Sequence, residues 1–262
     1  RNLALSGDTH RPPHLLPRRC EGGVLLPLRP RDRLLLRRLL RAEGYTSFEA
    51  FVEEVLRDPS EDLMGHIIDR VATNYTYFFR EPEHFQYLQH TALPEITERL
   101  KHTRSTDLRI WSAACSTGAE AYSIRMVLGE FFGESYEEWR AGVLATDISS
   151  TALAIASAAV YPSRALSKIP LALKSRYFEA VEGPEEQYLF RDEFRSDVVL
   201  RRLNLHCAEV PLRQQMHVVF CRNVRMYFDA AGKAFIETRM YELLESDGLL
   251  VIGLTESLQT GA

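Results

Sequence analysis

Over the first ninety residues the apolar positions recur at helical spacing. Leu35, Leu36, Leu39 and Leu40 form one stripe, with Arg33, Arg37 and Arg41 stacked at i, i+4 on another face. Phe48, Phe51, Val52, Val55 and Leu56 follow behind a Thr46/Glu49 capping box, and Asp58-Pro59 ends that helix. Leu63, Met64, Ile67, Ile68 and Val71 mark a third. Residues 1–30 lack a period and are rich in Pro, Arg and Gly. This pattern predicts a loose arm over 1–30 and a small all-α domain over 31–90.

From about Thr91 the period changes. Strand-like runs at 108–114, 142–146, 198–205, 218–221 and 249–254 alternate with helical runs at 119–132, 150–160 and 230–244. Such alternation predicts an α/β domain over 91–262, a mostly parallel sheet with helices on both faces, whose ligands sit beyond the C-terminal strand ends. Residues 178–197, with Gly183-Pro184 and several acids, break the alternation. They read as an inserted β-hairpin region, at about 178–200 in the domain.

Composition narrows the function classes. With 262 residues, 45% hydrophobic and 26% charged, the chain has the make-up of a soluble globular protein. A net charge of -4 argues against a nucleic-acid partner. The N-terminal part is locally basic: Arg29, Arg31, Arg33, Arg37, Arg38 and Arg41 face one acid, Asp32, and suit an acidic partner or simply water. Cys20, Cys115, Cys207 and Cys221 stand at no metal-ligand or redox spacing, as expected of free thiols in a reducing cytosol. No apolar run nears the roughly 20 residues of a membrane span, and no secretory pattern opens the chain, so a cytoplasmic location without membrane insertion is expected.

Four segments carry candidate chemistry. In 111–123, WSAACSTGAEAYS, a strand runs through small residues and Gly118 directly into a helix, so that a ligand can approach free backbone N–H groups; a tight turn without a ligand reads the same way. Asp147 in ATDIS ends the next strand, where a carboxylate can accept from both ribose hydroxyls of an adenosine; capping the following helix is the alternative, a role Ser149 also fits. In 73–81, TNYTYFFRE, Asn74, Thr76 and Arg80 interleave with four aromatics, as in a ligand wall or a packing seam. In 218–228, VVFCRNVRMYF, an apolar strand delivers Arg222 and Asn223 to its end with Tyr227 close behind; the bland reading is a turn Asn and a packed Tyr.

Together these segments, with RYF at 176–178, Asn204-Leu205 and GLLVIGLTES near the end, resemble in order and spacing the CheR family of protein-glutamate O-methyltransferases, over about 22–257. The resemblance implies a Rossmann-like S-adenosylmethionine-dependent methyltransferase domain with a small antiparallel β-subdomain, preceded by a small all-α domain. It implies cofactor contacts from Asn74, Thr76, Arg80, Gly118, Glu120, Asp147, Asn204, Leu205, Arg222 and Asn223. Arg80 and Tyr227 match positions linked in the family with catalysis and acceptor placement. The implied partners are the cytoplasmic helices of methyl-accepting chemoreceptors, met by the arginine-bearing N-terminal helices; in some members the β-subdomain also docks a receptor tail.

The chain departs from the family in places. Ala119-Glu120-Ala121 stands where Glu-Glu-Pro is usual, altering the helix start. Gly253-Leu254-Thr255-Glu256 replaces Gly-x-Ser-Glu, and Ala159 stands for a glycine. The sequence stops at Ala262, before the last strand of such domains, as in a shortened form. The implied chemistry calls for no metal, because the cofactor's sulfonium carries an activated methyl and an ionised glutamate is already a nucleophile. A non-catalytic sensor or scaffold that keeps the fold and binds the cofactor is the alternative reading.

Overall fold

The computed structural model describes residues 75–207, 210, 212 and 214–258, together with positions 44–47, 49, 50, 53 and 69. The N-terminal arm and the three helices expected before residue 75 therefore lie outside the described residues, apart from those few positions. Asn74 lies outside them too.

The described chain opens with α1 (Pro82–Tyr87), which runs through a π-helical turn at Leu88–Ala92 into α2 (Leu93–His102). There follow β1 (Asp107–Ala113), α3 (Ala119–Phe132), β2 (Arg140–Asp147), α4 (Ser150–Ala158), β3 (Val160–Pro162), α5 (Leu171–Tyr177), β4 (Phe178–Val181), β5 (Gln187–Phe190), α6 (Asp192–Arg195), β6 (Val198–Arg202), β7 (Met216–Phe220), α7 (Ala230–Leu243) and β8 (Leu244–Val251). Strands β6-β2-β1-β7-β8 form one parallel sheet in that order, and β3-β5-β4 a small antiparallel sheet.

The large sheet is covered on both faces, which is why its strands read as near-continuous apolar runs. Side chains alternate with the two-residue period of a strand. Leu108, Ile110, Val143, Ala145, Val218 and Phe220 join a core with Phe85, Leu93 and Ile96 from the α1–α2 segment and Ile124 and Leu128 of α3. Trp111, Ala113, Leu144, Val219 and Cys221 face the other way, against Ile236 and Met240 of α7. Both layers serve to hold the C-terminal ends of β1, β2 and β7 rigid.

Three differences from the sequence reading have physical causes. The sequence pattern predicts no helical run over the α1–α2 segment, which carries Pro82 and Pro94. Each sits in the first turn of its helix, where a missing N–H costs little, and the wide π turn directly precedes Pro94. Val160, expected at a helix end, instead opens β3, which hydrogen-bonds to β5 and gives the hairpin its third strand. Residues 198–200 belong to β6 and so to the large sheet, not to the insert.

Candidate functional site

The connection from β1 to α3 is tightly wound. Ala114, Ser116 and Gly118 all have positive φ, at 67, 51 and 86°. Gly118 needs both its freedom and its smallness: a Cβ there would lie 2.8 Å from Ala156 Cβ on α4 and 3.1 Å from the Tyr122 ring. The turn is fastened to the end of β2, since Cys115 N–H donates to Thr146 O at 2.9 Å and Ser116 N–H to Asp147 Oδ2 at 2.7 Å. The Ser116 hydroxyl is buried without a hydrogen-bond partner.

Asp147, 7% exposed, uses its other oxygen to accept from Ser149 N–H at 2.9 Å. Burial pushes its carboxyl up from the ordinary aspartate value, against the pull of the Ser149, Ser116 and Ile148 amides. It is not the cap of α4. Ser149 fills that role, accepting from Ala152 N–H at 3.0 Å, which leaves Asp147 as a brace between two loops with further lone pairs on each oxygen. Asp147 O also accepts from Leu203 N–H at 2.9 Å, bringing the loop after β6 alongside. On that loop Asn204 Oδ1 accepts from His206 N–H at 2.9 Å, and the Leu205 side chain is buried in the second core.

Arg222 closes the other side. Its side chain is 1% exposed and reaches three acceptors: Glu120 Oε2 on α3 at 2.9 Å, Glu81 Oε2 in the linker before α1 at 2.9 Å, and the Arg80 carbonyl. Glu120 also accepts from Ser112 Oγ at 2.6 Å at the end of β1. Burial raises the Glu120 carboxyl's pKa, opposed by Arg222 and Ser112. Burial also works on Glu81, but there the hydrogen bonds from Arg222 and Asn223 prevail and hold its carboxyl below the usual glutamate value.

The linker is an aromatic wall. Phe78 is buried edge-on against Tyr161 and Phe178 of the small sheet, and Phe79 N–H donates to Ser123 Oγ on α3 at 2.9 Å. Thr76 and Arg80 are half-buried. Arg80 Nη1 donates to Tyr75 O at 2.9 Å, with its guanidinium 5.9 Å from the Tyr75 ring centre. Asp69, upstream, accepts from Thr151 Oγ1 at 2.8 Å and so joins the N-terminal segment to the start of α4.

Tyr227 ends a 3-10 turn, Arg225–Tyr227, directly after Asn223, whose φ is 56°. Among the described residues no hydrogen bond or ring contact joins Tyr227 to Arg80. The structure thus gathers Arg80, Gly118, Glu120, Asp147, Arg222 and Asn223 along one sheet edge and brings the Asn204 loop beside Asp147. Two carboxylates went unassigned in the sequence, Glu81 and Glu256. Both lie inside matched motifs, at the end of TNYTYFFRE and in GLLVIGLTES, which was the available signal. Cys115 and Cys221 are buried free thiols and Cys207 is buried; the Cys221 thiol is pushed up to about 12, chiefly by burial. No described helix is long and apolar enough to cross a membrane.

Comparison with known proteins bears on this arrangement. Residues 74–262 match the family described as CheR methyltransferase, SAM binding domain. A chemotaxis protein methyltransferase of Escherichia coli is 34% identical over 238 residues, 90% of this chain and 79% of that one. One from Borreliella burgdorferi is 31% identical over 221 residues, 84% of this chain and 77% of the other. Chemotaxis protein methyltransferase 2 of Pseudomonas aeruginosa is 35% identical over 223 residues, covering 85% and 76%. The solved glycopeptide N-methyltransferase MtfA, complexed with S-adenosylmethionine, aligns at 15% identity and a TM-score of 0.34, over 59% of this chain and 47% of that one.

Proposed function

The chain belongs to the CheR methyltransferase family, and from that premise we propose that it transfers a methyl group from S-adenosylmethionine to glutamate side chains on the cytoplasmic helices of chemoreceptors. The observation that carries the reading is the convergence at one sheet edge of the β1–α3 turn, Asp147 and the Arg222–Glu120 pair.

The fit of an adenosyl group to that edge is supported by the buried, unpartnered Ser116 hydroxyl, by the spare lone pairs of Asp147 and by a glycine with no room for a side chain. Asp147 would hold the ribose. The amino-acid end of the cofactor would meet the Glu120–Arg222 side, with Thr76, Arg80 and Asn223 as rim and Asn74 completing it. Asn204 and Leu205 would supply the remaining contacts, through the loop beside Asp147.

When bound, S-adenosylmethionine supplies a methyl group on a positively charged sulfur. The protein's own task is to align an ionised acceptor carboxylate and keep water out, for which proximity accounts for up to roughly 7–11 kcal/mol in model systems. Tyr227 would orient the acceptor. Arg80 would act at the cofactor end, because a fixed cation against the acceptor carboxylate would quench its nucleophilicity. The N-terminal segment at 31–90, for which the sequence pattern predicts helices, would recognise the receptor's acidic helices.

Calorimetric titration with S-adenosylhomocysteine, followed by transfer of labelled methyl to receptor cytoplasmic fragments, tests this. Binding with base-labile label on glutamate is the expected result. Binding without transfer would leave a sensor or scaffold of the same fold, and no binding would sink the reading altogether.

A further inference from the structure

Beyond the β8 strand the chain turns back on itself at 253–256, and Glu256 N–H donates to Gly253 O at 2.9 Å. The Glu256 carboxylate then accepts three backbone N–H groups. Oε2 takes Gly253 N–H at 2.9 Å and Asn223 N–H at 2.9 Å, and Oε1 takes Arg225 N–H at 3.1 Å. One of these belongs to its own turn. The other two come from the loop after β7, more than thirty residues earlier, and they flank the point where the backbone enters a left-handed conformation at Asn223.

A left-handed asparagine followed by a 3-10 turn is a conformation that needs support. Glu256 supplies it with charge-assisted hydrogen bonds, stronger than neutral ones. The seam has no slack: a Cβ on Gly253 would lie 2.5 Å from Asn223 Nδ2 and 2.9 Å from Glu256 Oε2. Arg225 adds a second stitch, donating from Nη1 to Ser257 O at 2.9 Å while Nη2 pairs with Glu237. The Arg225–Tyr227 turn therefore hangs from the β8 loop as much as from its own strand.

We propose that Glu256 is a positioning residue for methyl transfer, setting the turn that carries Tyr227 on the acceptor side of the site; this rests on the function proposed above. Only a carboxylate serves three donors. In Glu256→Gln the amide nitrogen must confront either Arg225 N–H alone or both Asn223 and Gly253. The first arrangement keeps two of the three bonds and releases the Tyr227 turn, while Asn223 stays held.

The experiment compares wild type, E256Q, Y227F and the double variant in the full chain. It measures S-adenosylhomocysteine affinity, kcat on a receptor cytoplasmic fragment and thermal melting. E256Q is expected to fold and bind the cofactor product nearly as wild type, with kcat reduced by about 10²-fold, the scale of an ångström-sized misplacement. In the Y227F background the same change should cost far less, because the turn's cargo is already gone. Wild-type kcat in E256Q overturns the proposal, and so does an equal loss in both backgrounds. Should E256Q fail to fold, G253A tests the same seam by crowding Asn223 and Glu256; wild-type kcat in folded G253A is then the overturning result. Wild-type protein that binds no S-adenosylhomocysteine would instead refute the function on which the proposal rests.

Discussion

Arg222 donates to Glu120 at 2.9 Å across the open end of the large sheet, with its side chain 1% exposed. The pair joins the loop after β7 to the first turn of α3, so it ties together the two segments that flank the proposed cofactor. A buried ion pair is a weak source of net stability, but breaking one is costly, because the partner left behind stays buried and charged.

Replacing Arg222 should therefore destabilise the fold more than a surface change would. Arg222→Met strands Glu120 and Glu81 together and should cost about 3–5 kcal/mol in urea denaturation. Arg222→Lys keeps a charge but reaches fewer of the three acceptors, and it should fall between Met and wild type. Equal midpoints for all three proteins would show that the cluster carries no stability.

Gly118→Ala makes two demands at once, a methyl at φ 86° and a Cβ 2.8 Å from Ala156 Cβ. The variant should lose roughly 1–3 kcal/mol of stability, together with affinity for S-adenosylhomocysteine. Adding Ala156→Gly removes the shortest contact but leaves the Tyr122 ring at 3.1 Å and the backbone strain, so it should restore part of the loss. Full restoration in the double variant would mean that strain in the turn is unimportant.

Arg80 and Tyr227 should separate kinetically. Arg80→Ala removes the group that contacts Tyr75 in the linker before α1 and should mainly raise KM for S-adenosylmethionine. Tyr227→Phe should lower kcat by roughly 10²-fold or more with little change in cofactor affinity, which is about 2.7 kcal/mol of transition-state stabilisation. Steady-state kinetics with each substrate varied in turn decides; unchanged constants for both variants would remove them from the reaction.

The parallel sheet and α3 were legible because their signals are local. Strands β1, β2 and β7 are each built around a short run of apolar residues, and Gly118 marks the start of α3 at Ala119. The ligand edge was legible because such folds place small and polar residues at strand ends. What stayed hidden is long-range. Nothing near Glu256 in the sequence says that its carboxylate will meet the amides of Asn223 and Arg225, and nothing near Glu81 announces Arg222. The role of Asp147 was ambiguous for the same reason: whether it or Ser149 caps α4 depends on where the β1–α3 turn lands.

At the opposite end of the sheet, His217 makes stability depend on pH. It lies on β7, is 6% exposed, and accepts Arg109 N–H on its Nδ1 at 3.1 Å. Arg109, Arg99, Asp107 and Glu245 are the charged groups around it. Burial first, and then the Arg109 cation, hold its pKa below the ordinary 6.5. Protonated Nδ1 would become a donor facing another donor. The unfolded chain therefore binds this proton more readily than the native one, so the stability due to neutral His217 is present above pH 6.5 and is lost as the pH falls from there towards the lower native value. His217→Asn keeps an acceptor for Arg109 but cannot titrate in this range. Urea midpoints across that interval should fall more steeply for wild type than for H217N, even though His84, whose pKa is also lowered, titrates in both proteins. Parallel curves would show that His217 takes up its proton equally in the folded and unfolded states.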